Sequence, residues 1–460
     1  MRKATRTISG VTPVAVMARP HPCPGQCVYC PSAEGAPKSY TPESPAVLRA
    51  LRCDFDPAEQ VRLRLKSLRD MGHPVDKVEL IVMGGTFLAY PVQYQYRFVQ
   101  ACYEALNGVA SADLREAQRA NERAAVRCVG LCVETRPDWC GEEEIGRLHD
   151  FGATRVELGV QTLDDGIHEL TKRGHGVAAV VEATARLRRH GFKVYYHWMP
   201  GLPGATPELD RALTRQLFDD PRFRPDGLKL YPTVVVQGSE LALWHAEGRF
   251  RPRGTEEMRD LLGELKQMVP PYVRIARLMR DIPRKFIIAG CDDLSLRDTV
   301  KERMRELGAS CHCIRCREYG HRLRDGWRPG QPELRSIRYE TAGSTEVMLS
   351  YEDADSTLFG LLRLSLVGDG AMEGKGAVVA TVRELHIFGS EVGIGGRDGG
   401  SAQHHGLGAS LLGEAERVAS ETFGASSLRV LSGVGVREYY RNLGYTSEGA
   451  YMAKMLAARP

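Results

Sequence analysis

Three cysteines fall close together in the stretch CPGQCVYC, as Cys23-x3-Cys27-x2-Cys30. Prolines at 20, 22, 24 and 31 keep a helix from running through it, so the thiols sit on a loop that can wrap a compact group. The chain has twelve cysteines, clustered rather than evenly spread, which points to metal or iron–sulfur ligation rather than disulfides. A four-iron cube held by three thiolates leaves one iron without a protein ligand, and an open position on a redox cluster can bind a substrate directly. On these residues alone the alternative is a zinc site completed by a distant His or Cys.

A second constellation is Gln403-x-x-Gly406-x-Gly408 in QHHGLGASLLGEAE, which opens straight into a helix pattern. Glycines let backbone N–H groups turn toward an anion, and a helix N-terminus adds partial positive charge, so the loop suits a pyrophosphate. A third is Cys311-x-Cys313-x2-Cys316 on a basic segment, which reads as a structural zinc site. Cys291 is the preferred fourth ligand there, and His312 or His321 would also serve.

Parallel strands must position the first constellation. Apolar, β-branched runs recur at 77–85, 126–137, 154–162, 192–203 and 226–236, separated by helical patterns such as 142–152 and 176–191. That alternation predicts a parallel sheet with right-handed crossovers, that is, an α/β barrel whose chemistry gathers at the strand C-terminal ends. Gly84, Gly85 and Thr86 lie at such an end, where glycine lets a ligand approach the backbone or simply makes a tight turn. From about residue 335 the pattern changes to alternating strands, a Gly-rich loop and the helix pattern 408–424. The expected division is therefore 1–283, a basic Cys-rich linker at 284–334, and an α+β unit at 335–460.

Hydrophobic content of 43% and charged content of 26% are ordinary for a water-soluble fold, and no run approaches the roughly 20 apolar residues of a membrane span. A cytoplasmic protein without a signal peptide is expected. The net charge of +4 is unevenly spread. Arg2, Lys3, Arg6 and Arg19 precede the first acid, Glu34, and residues 271–330 carry 14 Lys/Arg against 8 Asp/Glu. Basic surfaces on a near-balanced whole suggest a polyanionic partner.

The cysteine spacing, with Tyr29 between the last two cysteines, resembles the radical S-adenosylmethionine (SAM) superfamily. The resemblance implies a partial (β/α) barrel, a [4Fe–4S] cluster on Cys23, Cys27 and Cys30, and SAM on the open iron. It also places Gly84, Gly85 and Thr86 near the SAM amino group. VRELHIFG, the QHHGLG loop and YYRNLGY together resemble the GNAT acetyltransferases. That likeness implies acetyl-CoA held by Glu384, Leu385, His386 and Ile387 and by Gly406, Leu407, Gly408 and Ala409. Tyr440, with Tyr439 beside it, would stand near the thioester. His386 could instead be a general base, although a strand His is more often structural.

Both halves in one chain, with VETRPDWC, ELGVQT, KRGHG, RPDGLKLYPT and RDIP, resemble the family of the Elongator catalytic subunit in its bacterial stand-alone form. The family places Lys77 at the acetyl-CoA site. The resemblance implies tRNA, through its anticodon stem-loop, as partner and 5-carboxymethylation of the wobble uridine as reaction. A SAM-derived radical would take hydrogen from the acetyl methyl, and the carbon radical would add to C5. It requires no other Elongator subunit and is compatible with a homodimer. The rival reading is a lysine (histone-type) acetyltransferase with a structural or regulatory barrel.

Overall fold

The computed structural model describes residues 7–8, 10–328, 330–368, 378–388 and 406–456. Arg2, Lys3 and Arg6 of the basic N-terminal segment and Gln403 of the glycine-rich loop lie outside them. Among the described residues sixteen strands follow one another: β1 (Thr12–Met17), β2 (Lys77–Met83), β3 (Arg127–Thr135), β4 (Arg155–Gln161), β5 (Lys193–Trp198), β6 (Gly227–Leu230), β7 (Val235–Val236), β8 (Arg274–Arg277), β9 (Ile287–Ala289), β10 (Glu333–Thr341), β11 (Ser344–Glu352), β12 (Leu358–Val367), β13 (Val379–Ile387), β14 (Ser427–Val430), β15 (Thr446–Glu448) and β16 (Tyr451–Met455).

The first sheet runs β1-β2-β3-β4-β5-β6-β8, every neighbouring pair parallel. Such a sheet is covered on its outer face by crossover helices, so its strands read as apolar runs. The helix Val177–Arg189 shows the rule: it buries Val180, Ala183 and Leu187 and leaves Glu182 and Arg189 outward. Two strands add to the sequence reading. β1 precedes the cysteine loop, which therefore leaves the end of the first strand. β8 closes the far edge, and its IAR core is too short to show a period.

The second sheet runs β10-β11-β12-β13-β14-β16-β15, antiparallel except at β13–β14. That parallel pair spans only Ala380–Val382 against Leu428–Val430. Leu385–Ile387, further along β13, pair with Gly360–Leu362 of β12. The segment between the sheets does not stand apart: Cys291, Leu296, Val300, Met304 and Cys313 join the barrel core.

The halves are fastened by buried charge. Arg383 on β13 donates to both carboxylate oxygens of Asp226 at 2.7 and 2.8 Å, to Glu346 at 2.6 Å, and to the Phe192 carbonyl. Arg363 on β12 donates to the Tyr272 carbonyl at 2.6 Å and to Glu384 at 2.8 Å. Tyr272 and Tyr339 stack across the same seam with centroids 3.9 Å apart.

A second seam holds His149 beside His190 (3.2 Å) with Tyr451 donating to the His190 carbonyl at 3.1 Å. Burial, then His190 and Arg429, lower His149 from its ordinary 6.5 to about 4. The unfolded chain therefore binds the extra proton between those values, so this seam's contribution is full above about pH 6.5 and is lost as pH falls toward 4. Urea unfolding should show a lower midpoint at about pH 5 than at about pH 7, and His149→Phe should flatten that dependence.

Candidate functional site

The cysteine loop is pinned from three sides. Val28 N–H donates to the Thr171 carbonyl (3.1 Å), Leu241 N–H to the Val28 carbonyl (2.8 Å), and Ser32 N–H to the Gly238 carbonyl (3.0 Å). Cys23, Cys27 and Cys30 thereby line one cavity with Gly85, Thr86, Gln161, Arg173, His197 and Arg280. The Cys23 thiol lies 3.7 Å from the Thr86 hydroxyl, and buried Arg173 donates to the Cys27 sulfur at 3.3 Å. The Cys30 thiol first, and Arg173 against burial, lower Cys27 to about 4, so its sulfur is a thiolate. Three sulfur donors around one cavity, with a guanidinium to offset negative charge, fit a [4Fe–4S] cluster. Among the described residues they are not one of the groups whose ligand atoms all lie within 4.8 Å of one another. That accords with a cube, which takes one thiolate per iron.

Gly84 meets a packing demand that the sequence does not show. At φ 141° it turns away from the cavity, and a Cβ there would stand 2.9 Å from the Ala18 Cβ and 3.2 Å from the Tyr90 hydroxyl. Its glycine is required by chain packing, while Gly85 and Thr86 face the cavity.

A larger cavity of ≈ 820 Å³ lies between the halves. The barrel supplies Lys77, Arg155, Glu157, Lys193, Lys229, Arg274 and Arg277, and the second unit supplies Glu384–Ile387, Gly406–Ala409, Tyr439 and Tyr440. Every residue expected from the sequence to hold acetyl-CoA, Lys77 included, therefore lines one space. Gly406 takes φ +77° as the residue capping the helix Leu407–Arg417. The start of that helix, whose first N–H groups have no intrahelical acceptor, lies at the cavity, where Gly406–Ala409 form part of the lining. Tyr439 hangs its hydroxyl over Gly408, 3.0 Å from where a Cβ would stand. Tyr440 is packed into the core, and burial raises its phenol above the ordinary range, so it stays protonated. The Glu384 side chain turns to Lys193 and Arg363, and His386 stacks on Phe388 at 4.5 Å.

Between the two cavities stands a buried polar wall that the sequence reading missed. Lys229 on β6 pairs with Glu134 at 2.8 Å and with Glu157. Tyr40 donates to the other Glu134 oxygen at 2.9 Å, and His197 meets Glu157 at 3.1 Å. Burial alone would raise Glu157, but Lys229, His197 and Arg155 hold it well below the usual carboxylate range. Glu134, Glu157 and His197 have the spacing of a metal site, yet the Lys229 ammonium is the cation the two carboxylates share. A signal did exist: Glu134 and Glu157 are register partners, as are His197 and Lys229, each a charged or polar residue inside an otherwise apolar strand.

Cys311, Cys313 and Cys316 bring their sulfurs within 4.8 Å of one another, tighter than the first trio and suited to a single ion. Cys291 does not join them. Its thiol faces Thr255 and the Asp293 backbone, because its loop packs on the helix Thr255–Gln267. His312 bonds Ser310 at 3.2 Å, and His321 faces the large cavity. The described residues thus bring no fourth His, Cys, Asp or Glu to this group.

Two family models match: the radical SAM superfamily over residues 21–214 and the radical SAM C-terminal domain over 225–306. The second match runs past residue 283 through the helix Leu296–Glu306, in keeping with that segment's place in the barrel core. The chain is 57% identical over 459 residues to a tRNA uridine(34) acetyltransferase of Dehalococcoides mccartyi, covering 99% of this chain and all of that one. It is 42% identical to human Elongator complex protein 3, covering 99% of this chain and 86% of the relative. A solved structure of the archaeal Methanocaldococcus infernus Elp3, lacking its N-terminus (1–46), superposes with TM-score 0.85 at 41% identity, over 98% of this chain and 100% of that one.

Proposed function

The chain belongs to the family of the tRNA uridine(34) acetyltransferases and Elongator complex protein 3, and on that premise we propose that it carboxymethylates C5 of the wobble uridine of tRNA, using SAM and acetyl-CoA. One observation carries this reading: two cavities of different chemistry share a wall, since Met83 and Glu134 face both. A methyl C–H is too inert for acid–base chemistry, which accounts for a radical generator set beside an acyl-CoA pocket. A bound [4Fe–4S] cluster with SAM supplies the hydrogen-abstracting radical.

The chain's residues hold and orient the reactants. Cys23, Cys27 and Cys30 hold the cluster, and Arg173 offsets its charge. The N–H groups of Leu407, Gly408 and Ala409 receive the pyrophosphate, helped by Lys77 across the cavity. Glu384, Leu385, His386 and Ile387, which line the same cavity, meet the pantetheine arm. Tyr440 or Tyr439 can give a proton to the leaving thiolate. Cys311, Cys313 and Cys316 hold one zinc ion as a staple. The anticodon loop enters with its bases unstacked, as sequence-directed RNA contacts require. The protein works in the cytoplasm without other Elongator subunits.

The test is an anaerobic incubation of reconstituted protein with SAM, acetyl-CoA, reductant and tRNA, followed by mass spectrometry of the nucleosides. 5-Carboxymethyluridine at the wobble position is expected. Acetyl-lysine formation on a protein, indifferent to Cys27→Ala, would instead establish a lysine acetyltransferase. tRNA binding with neither product would leave only a scaffold.

A further inference from the structure

Carbon–carbon bond formation at C5 leaves that carbon bearing both its hydrogen and the new CH2 group, with the unpaired electron on the ring. Restoring the C5=C6 double bond takes two departures. One electron goes to a one-electron acceptor, such as a low-potential flavin or iron–sulfur carrier. The electron that leaves is the unpaired one on C6; the C5 proton goes to a base, and the C5–H bonding pair becomes the C5=C6 π bond. The enzyme must therefore present a proton acceptor where the base lies.

The cysteine-lined cavity offers few acceptors. Its thiols are committed to the cluster, and Lys38, Arg136, Arg173 and Arg280 are cations. Burial raises the phenols of Tyr29, Tyr40 and Tyr231, so they remain protonated. Asp281 is paired with Arg277. Glu134 has both oxygens engaged, one by Lys229 and the other by Tyr40. His197 differs. Its Nε2 meets the Glu157 carboxylate at 3.1 Å, and the hydrogen bonds of the described residues engage no other atom of its ring. A proton on Nε2, donated to that carboxylate, leaves the lone pair on Nδ1. The ring is 15% exposed and lines the cavity. Glu157 is itself fixed by Lys229 and Arg155 (3.3 Å) and reaches through to the acetyl-CoA side.

We propose that His197 is the catalytic base that removes the C5 proton of the wobble uridine, with Glu157 as the residue that positions its imidazole. The inference rests on the carboxymethylation reading above. The test uses the full chain, reconstituted anaerobically, with tRNA carrying either uridine or 5-deuterouridine at the wobble position. Product and 5′-deoxyadenosine are both followed. Wild type should show little isotope effect on product formation. His197→Gln should form product about 10²-fold more slowly or worse, with 5′-deoxyadenosine still made and an isotope effect now exposed at C5. In His197→Ala, added imidazole should restore part of the rate. The inference is overturned by a His197→Gln enzyme that makes product at the wild-type rate. Product and deoxyadenosine lost together in both variants, with neither an isotope effect nor imidazole rescue, also overturns it. Wild type that makes no carboxymethyluridine would fail the underlying reading instead.

Discussion

Asp226→Ala should cost the protein about 3–5 kcal/mol or more of stability, enough to unfold it or part its halves, measured as a lowered midpoint in guanidinium unfolding. The carboxylate is completely buried and faces three guanidinium groups: Arg383 at 2.7 Å, Arg363 at 3.4 Å and Arg188 at 3.8 Å. Burial by itself would raise its proton affinity, yet the arginines hold it far below the carboxylate range. The cluster is nearly balanced, since Glu346 and Glu384 supply the other anions. Removing Asp226 leaves cations in a dry seam with too few partners, and water cannot reach them to compensate. Asp226→Asn should be almost as damaging despite its shape, because the charge rather than the volume is what the arginines require. A modest loss in Asp226→Asn against a large loss in Asp226→Ala would show that packing dominates. The site depends on the same seam: Lys229 lies three residues along β6, and Glu384 and Leu385 follow Arg383 on β13.

The grouping of the candidate site residues was legible where the chain has few ways to arrange them. Cys23, Cys27 and Cys30 lie so close in sequence on a proline-stiffened loop that they must face one space. Gly406 and Gly408 open a helix whose start can only point one way, and both line the large cavity. Cys291 failed because its placement depends on tertiary packing against another helix, which spacing does not encode. Gly84 shows a related limit: a glycine needed for contact with Ala18 looks the same in sequence as one needed for a ligand. The wall of Glu134, Glu157, His197 and Lys229 was hidden differently. Each residue sits on a separate strand, and only the register of four parallel strands brings them into one hydrogen-bonded set. β1 and β8 went unread because six and four residues give too little periodicity to separate a strand from a loop.

Two substitutions should split the chemistry cleanly. Cys27→Ala removes the sulfur that Arg173 contacts, and with it one of the three proposed iron ligands. Formation of 5′-deoxyadenosine from SAM should fall to the uncatalysed background, while acetyl-CoA binding, followed by calorimetry, stays at the wild-type affinity. Gly408→Asp should do the reverse. An acid in the first turn of the helix Leu407–Arg417 suits the helix itself, so the fold is kept. The new carboxylate stands where the pyrophosphate is to be received, under the Tyr439 hydroxyl, and like charges at that distance cost several kcal/mol. Acetyl-CoA affinity should drop by about 10²-fold or more, with SAM cleavage still measurable. Neither variant alone should make carboxymethyluridine, and a mixture of the two should make none if each chain carries out the reaction within its own pair of cavities. Product from the mixture would mean that the radical half of one molecule serves the acyl half of another. The short path between the cavities argues against this, since Glu134 belongs to both.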